Sequence, residues 1–396
     1  MGEDGPMIYL DSNATTQTDP RVVEAMMPFL TKHFANPSSG HAGGRFVHKA
    51  VEHAREQVAA LIDCEPNELI FTSGGTEANN AALASALTLQ QPRKTHLIIF
   101  KTEHSSVLEP ARRWTEEGRS ASFLDVNREG VPMIRELKSC TRSGQTALVS
   151  MMWANNETGV IGPIEESAEL VHSNGAMFHS DAVQAVGKIP VSVKKIPVDY
   201  LSLSGHKFHA PKGIGALFIS KRVRFRPWML GGGQEFGRRS GTENVPHIVG
   251  LGKAAELMLE HLRDDGAAKV AAMRDAFENR ILAEVPGTEV NGSREFRVPG
   301  TSSLFFPGVD AAGLLILLDD RGVACSEGSA CHAETLRPSH VLCAMGFTEE
   351  RLGGTLRFSF SRMNTAEEAV IAAGKVIECV AKLKSLNVEG PVKMSA

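Results

Sequence analysis

Six short runs rich in β-branched and apolar residues, at 68–71, 96–100, 146–152, 176–178, 199–203 and 216–219, constrain this chain more than any other feature. Roughly 20 to 45 residues separate most of them, which is room for the crossover helix that a parallel neighbour requires. The expected fold class is therefore α/β, a large mainly parallel sheet in helical layers. No repeat or low-complexity segment competes with that pattern. A turn-rich stretch at 228–244, carrying Gly231-Gly-Gly233, breaks the alternation, and 248–262 reads as a long helix. Beyond it come a helix, short strands at 301–306 and 355–359, and a closing helix at 366–383, an α+β pattern. The expected organisation is an N-terminal arm (1–16) packing on the smaller domain, a large domain (17–262) and a small C-terminal domain (263–396).

The remaining sequence properties narrow the class of partner. With 396 residues, 42% hydrophobic and 22% charged, the chain has the composition of a globular protein with a substantial core. A net charge of −4 creates no field that gathers nucleic acid or an anionic membrane. The acidic N-terminus lacks an apolar run, and Pro6 spoils a myristoylation signal. Apolar runs such as 311–318 are too short to cross a bilayer. Six cysteines lie without CxxC spacing, which suits reduced thiols, and a cytoplasmic location is expected.

In α/β sheets ligands lie beyond the carboxyl ends of the strands, so the residues after each run belong together. After 68–71 comes Thr72-Ser-Gly-Gly-Thr-Glu77, a glycine turn entering a helix, where Gly75 and Thr76 can hold a phosphate at the positive helix end. His104 follows 96–100 and offers an imidazole to stack on a flat ring. Asp181 follows 176–178 and can pair with a protonated pyridine nitrogen, and Gln184 can donate to a phenolic oxygen. After 199–203, Ser204 and His206 supply phosphate donors beside Lys207, in a glycine-rich turn. A lysine in such a loop is ordinarily a solvated charge. Here its neighbours meet the phosphate, ring nitrogen, ring face and aldehyde of pyridoxal 5'-phosphate, which Lys207 would hold as a Schiff base.

These residues resemble the cysteine desulfurases of the class-V aminotransferase family, close to the nitrogen-fixation type. The likeness runs from Tyr9-Leu-Asp-Ser-Asn-Ala-Thr-Thr16 to Leu356-Arg-Phe-Ser-Phe-Ser-Arg362. Its specific motifs lie at 72–80, 155–159, 204–215, 231–244 and 328–331. The resemblance implies the fold-type-I architecture of aspartate aminotransferase and a homodimer in which Thr242 completes the partner's phosphate cup. It also implies that Asn13, Asn156 and Arg357 bind the substrate, Asn156 touching the cofactor too. An arginine suits that task because its fork can take a carboxylate by two parallel hydrogen bonds.

The same resemblance places the nucleophile at Cys331, in a small-residue loop from which a thiolate can attack the substrate sulfur. Lys207 would take the Cα proton, Asp181 would stabilise the ring, and Cys331 would take the sulfur as a persulfide while L-alanine leaves. His104 is the candidate to protonate the departing species or relay the thiol proton. Cys325 and Cys343 read as buried small apolar residues. A zinc site of Cys325, Cys331, His340 and Cys343 matches no familiar ligand spacing, so no metal is expected.

Departures from the pattern leave substrate and acceptor open. Glu327 brings an acid into the Cys331 loop, where it would raise the thiol pKa. His332 follows the nucleophile as in selenocysteine lyases, while Ser105 replaces the acidic residue those enzymes tend to carry. L-selenocysteine is the alternative substrate to L-cysteine, and another pyridoxal-phosphate lyase or aminotransferase is the alternative class. The tail at 387–396 lacks the ending that iron–sulfur desulfurases present to a scaffold protein. A sulfur-acceptor protein is expected, and whether it is a cluster scaffold stays open.

Overall fold

A computed structural model describes residues 7–90, 93–328 and 338–388. Seven strands form one sheet in the order Leu69–Thr72, Gly215–Ile219, Tyr200–Ser204, Met177–Asp181, Thr146–Ser150, His96–Phe100, Ala121–Leu124. The last five are mutually parallel, and Gly215–Ile219 opposes both its neighbours. The expected α/β class holds, and each of the six expected runs contributes a strand. Two differences matter. The strand expected at 176–178 runs Met177–Asp181, so Asp181 ends it instead of following it. Ala121–Leu124 was not expected, because an edge strand of sequence Ala-Ser-Phe-Leu buries fully only Leu124 and carries little apolar signal.

Burial on both faces explains why the strands read as continuous apolar runs without alternation. Successive side chains point to opposite faces. Ile98, Phe100, Val149, Leu201, Leu203 and Phe218 join one apolar core. Leu97, Ile99, Leu148, Tyr200, Leu217 and Ile219 join the other, beneath helices Gly75–Gln90 and Ser105–Glu116. Each such side chain withdrawn from water contributes about 1.5–3 kcal/mol, so a polar substitution at Leu97 or Leu201 would cost more than most single changes.

A third core lies around the antiparallel sheet Glu289–Val290, Thr301–Phe305, Thr355–Ser359, covered by helices Gly266–Glu284 and Ala366–Val388. Phe277 packs there on Phe358 and Phe360 at 4.9 and 5.3 Å between ring centroids. The chain's start belongs to this layer: Ile8–Tyr9 pairs in parallel with Val323–Ala324, and Leu10 is buried in its core. The backbone N–H of Ser12 then donates to Ser359 O, and that of Asn13 to Ser359 Oγ. Those two bonds carry residues 13–16 across to the strand ends of the large sheet. Among the described residues no helix is long and apolar enough to cross a membrane.

Candidate active site

The carboxyl ends of the parallel strands meet the crossing N-terminal segment around one cavity of about 280 Å³. Eleven of the residues selected from sequence line it: Asn13, Gly75, Thr76, His104, Asn156, Asp181, Gln184, Ser204, His206, Lys207 and Arg357. Thr242 does not line it and is exposed on this chain. Cys331 and His332 lie outside the described residues. Cys343 corrects an expectation: it is exposed on the short helix His340–Ala344, and Cys325 is only partly buried. Burial pushes the Cys325 thiol up to about 12.

At one end of the cavity helix Gly75–Gln90 begins directly behind the strand Leu69–Thr72. Its first backbone N–H groups have no partner within the helix, and its dipole favours an anion there. A Cβ on Gly75 would lie 2.8 Å from Val183 Cγ2, so only glycine lets the helix start come this close to the neighbouring strand end. Ser204 ends the strand Tyr200–Ser204, and His206 and Lys207 fill the single 3₁₀ turn that follows. Burial and the charges of Lys207, Lys212 and Lys188 lower the His206 pKa to about 4. It is a neutral donor at pH 7. Lys207 Nζ donates to Asn13 O and Ala14 O, both at 2.7 Å, so the N-terminal segment holds the amine at the cavity.

On the opposite wall Asp181 is 4% exposed. Its Oδ2 accepts from Asn79 Nδ2 at 2.7 Å and its Oδ1 from Val183 N at 3.0 Å, so both oxygens are held in place. Asn79 also donates to Ser106 Oγ, which lies 2.8 Å from His104 Nδ1. The backbone N–H of Ser106 donates to the same ring nitrogen, so His104 caps its helix and its ring is fixed in plane. Sequence reading assigned no role to Asn79 or Ser106. The available signal was helical spacing, since Asn79 falls on the same helix face as Thr76.

Arg357, 2% exposed, closes the cavity from the small sheet. Its Nη1 donates to Asn156 O and Gly328 O, and its Nη2 to Asp11 Oδ1 at 2.7 Å. Its Nε and the Oδ1 of Asn156 are buried without a protein partner, as is Asn79 Oδ1. Buried polar atoms are rarely left unpaired, and three around one cavity mark groups reserved for a ligand. Beneath the site lies Glu103, wholly buried, whose carboxyl is raised well above its ordinary range by burial and by the charge of Asp181. Glu103 Oε1 accepts from Met152 N, and Oε2 has no partner.

The chemistry of this donor set fits pyridoxal phosphate. A helix start with glycine and hydroxyl groups suits the phosphate, an anchored carboxylate suits the ring nitrogen, and an amine stands at the aldehyde position. The cavity is near the roughly 300 Å³ lower end of small-molecule sites.

Aminotransferase class-V is the family that matches, over residues 8–370. A cysteine desulfurase of Trichormus azollae is 48% identical over 96% of this chain and 94% of its own. Cysteine desulfurase NifS of Azotobacter vinelandii is 44% identical over the same shares. Among solved structures, a NifS-like protein superposes with a TM-score of 0.89 at 37% identity, covering 95% of this chain and all of the other. A structure described as SspA in complex with cysteine superposes with a TM-score of 0.79 at 31% identity, covering 90% and 99%.

Proposed function

The chain belongs to the class-V aminotransferase family and is a cysteine desulfurase of fold type I, and from that premise we propose how its residues divide the work. The cavity would bind pyridoxal 5'-phosphate, with Gly75, Thr76, Ser204 and His206 to hold the phosphate, His104 and Asp181 to hold the ring and Lys207 to take the aldehyde. Gln184 would donate to the ring's phenolic oxygen. When bound, that group supplies an electron sink that makes the Cα proton and then the Cβ–S bond of L-cysteine labile.

The chain's own residues do the rest. The Nε edge of Arg357, with the side-chain amide of Asn156, takes the substrate carboxylate and so aims the Cα–H bond at Lys207, while Asn13, whose amide is already committed to Asn156 O, Thr301 Oγ1 and Lys188, frames that site. Lys207 Nζ accepts that proton, and Asn13 O and Ala14 O hold the amine in place. Asp181, held by the donors from Asn79 and Val183, would pair with the ring nitrogen. His104 moves the proton of the attacking thiol or of the departing product. Cys331 carries the nucleophile, assigned by its match to the family motif Gly328-Ser-Ala-Cys331. Its sulfur bonds to the substrate sulfur as Cβ–S breaks, which leaves a persulfide on the enzyme and releases L-alanine.

The observation that carries this reading is the meeting of Lys207, Asp181 and Arg357 at one cavity, where Arg357 Nε and Asn156 Oδ1 are buried without a hydrogen-bond partner. Supporting a homodimer, the loop before Thr242 exposes Trp228, Leu230 and Phe236 at 52, 81 and 54%, a surface apt for a second copy. The division near residue 263 is supported by two apolar cores, one mostly from residues before it and joined by Val298, Val341, Leu342 and Met345, the other mostly from residues after it and joined by Ile8 and Leu10. The described cysteines are unpaired, in keeping with a reducing cytoplasm. A sulfur-acceptor protein is the natural partner for a persulfide. Nothing in the relatives' names favours selenocysteine.

The test is alanine and sulfide release from L-cysteine by the wild type and by Cys331→Ser, with L-selenocysteine run in parallel. Full cysteine activity in the variant would overturn the nucleophile. Purified wild type should absorb visible light, and Lys207→Ala should lose that band.

A further inference from the structure

A second lysine, Lys188, reaches the same site from behind. Gly187 has φ +78° and a Cβ there would meet Phe208 Cβ at 2.8 Å, so the turn Gly187-Lys188 packs directly against the residue after Lys207. Lys188 Nζ donates to Asn13 Oδ1 at 2.7 Å and to Gln184 Oε1 at 2.5 Å. An amine offers donors to both partners, so each of these amides must turn its oxygen toward Lys188 and its NH₂ away. The consequence is visible in both residues. Asn13 Nδ2 donates to Asn156 O and Thr301 Oγ1, and Gln184 Nε2 donates to Asn13 O, the same carbonyl that accepts from Lys207.

We infer that Lys188 is a positioning residue: it locks the amide faces of Gln184 and Asn13 so that Gln184 presents N–H, never C=O, to the ring oxygen beside Lys207. The inference rests on the cofactor reading above and adds to it the residue that sets amide direction. Charge is secondary to this role. Burial, with Lys207 and Arg357 nearby, pulls the Lys188 pKa well below its ordinary 10.5, and His206 is the other titratable neighbour coupled to it. An amine that has lost its proton still has two N–H bonds to give, so the lock survives deprotonation.

The inference predicts a spectroscopic shift that a merely structural lysine would not produce. A donor lost from the phenolic oxygen raises the pH midpoint of the visible absorption of protein loaded with pyridoxal phosphate, by about one pH unit for a hydrogen bond of ordinary strength. Full-length wild type, Lys188→Met, Lys188→Arg, Gln184→Met and the double variant Lys188→Met/Gln184→Met are loaded and titrated, and cofactor affinity is measured on the apo forms by equilibrium dialysis. Lys188→Met and Gln184→Met should show the same upward shift, the double variant no more than either, and Lys188→Arg a midpoint nearer wild type. Should Lys188→Met fail to fold, Lys188→Gln takes its place, with a smaller shift in the same direction expected.

An unshifted midpoint in a folded Lys188→Met or Lys188→Gln protein overturns the inference alone, as does a shift that adds fully to that of Gln184→Met. A wild type that takes up no pyridoxal phosphate overturns the cofactor reading and this inference with it.

Discussion

Asp11 Oδ1 accepts from Arg357 Nη2 at 2.7 Å, while the Nε of the same guanidinium is buried without a hydrogen-bond partner. The pair divides the fork: one edge is held by the protein and the other is offered to a carboxylate. Arg357→Lys keeps the charge and loses the fork. Its KM for L-cysteine should rise about ten- to a hundred-fold, the equivalent of a charge-assisted hydrogen bond, with kcat changed less. Steady-state alanine release decides the matter, and an unchanged KM removes Arg357 from substrate binding.

Asn79→Ala should weaken pyridoxal phosphate about ten-fold, read by fluorescence titration of the apo protein. Asp181 would keep the backbone donor of Val183 and lose the amide that holds its other oxygen. Asn79→Asp should be worse, since it sets a second acceptor against the carboxylate. Equal affinity in all three proteins rejects a role for Asn79 in holding Asp181.

Glu103 makes stability fall with rising pH. Its folded pKa is well above the ordinary 4.5, so above that value the native state keeps a proton that the unfolded chain releases. More protons bound in the native state means a loss of stability as pH rises toward the folded value. Relative to wild type, Glu103→Gln should therefore gain in urea midpoint from pH 5 to pH 8 and converge with it below pH 4.5. A constant offset between the two across that range contradicts the assignment.

His179 acts in the opposite sense. It is fully buried between Ser150 Oγ and Ser202 Oγ, and burial lowers its pKa from 6.5 to about 3. The unfolded chain takes up a proton below pH 6.5 that the native state refuses, so stability falls on acidification through that window, by up to about 1.4 kcal/mol per pH unit. His179→Asn should show a flatter urea midpoint between pH 6.5 and 5 than wild type.

How much of this was legible in the sequence follows from where the signal sits. The central strands announced themselves because both their faces are buried, and Leu97 and Ile98 feed different cores yet read as one apolar run. Ile8–Tyr9 and Val323–Ala324 did not, since two-residue strands carry no periodicity and their pairing depends on long-range closure. The residues that touch the cavity from strand ends could be collected by position alone. Asn79, Ser106 and Lys188 act through a neighbour's side chain, and such contacts depend on rotamers that one-dimensional spacing does not encode. Lys188 in particular wears the composition of a surface residue. Cys343 was misjudged for a related reason: a small apolar side chain fits either face of a short helix.

The crossing of residues 11–14 onto Ser359, Arg357 and Lys207 ties the start of the described chain to the last of its described strands. During synthesis the Asn13 carbonyl has no amine to hold until Lys207 emerges, and no sheet to lie against until Thr355–Ser359 has left the ribosome. A nascent chain or a premature stop before that strand thus lacks an assembled pocket. Completion of the cavity thus waits on a strand that lies close to the end of the described residues.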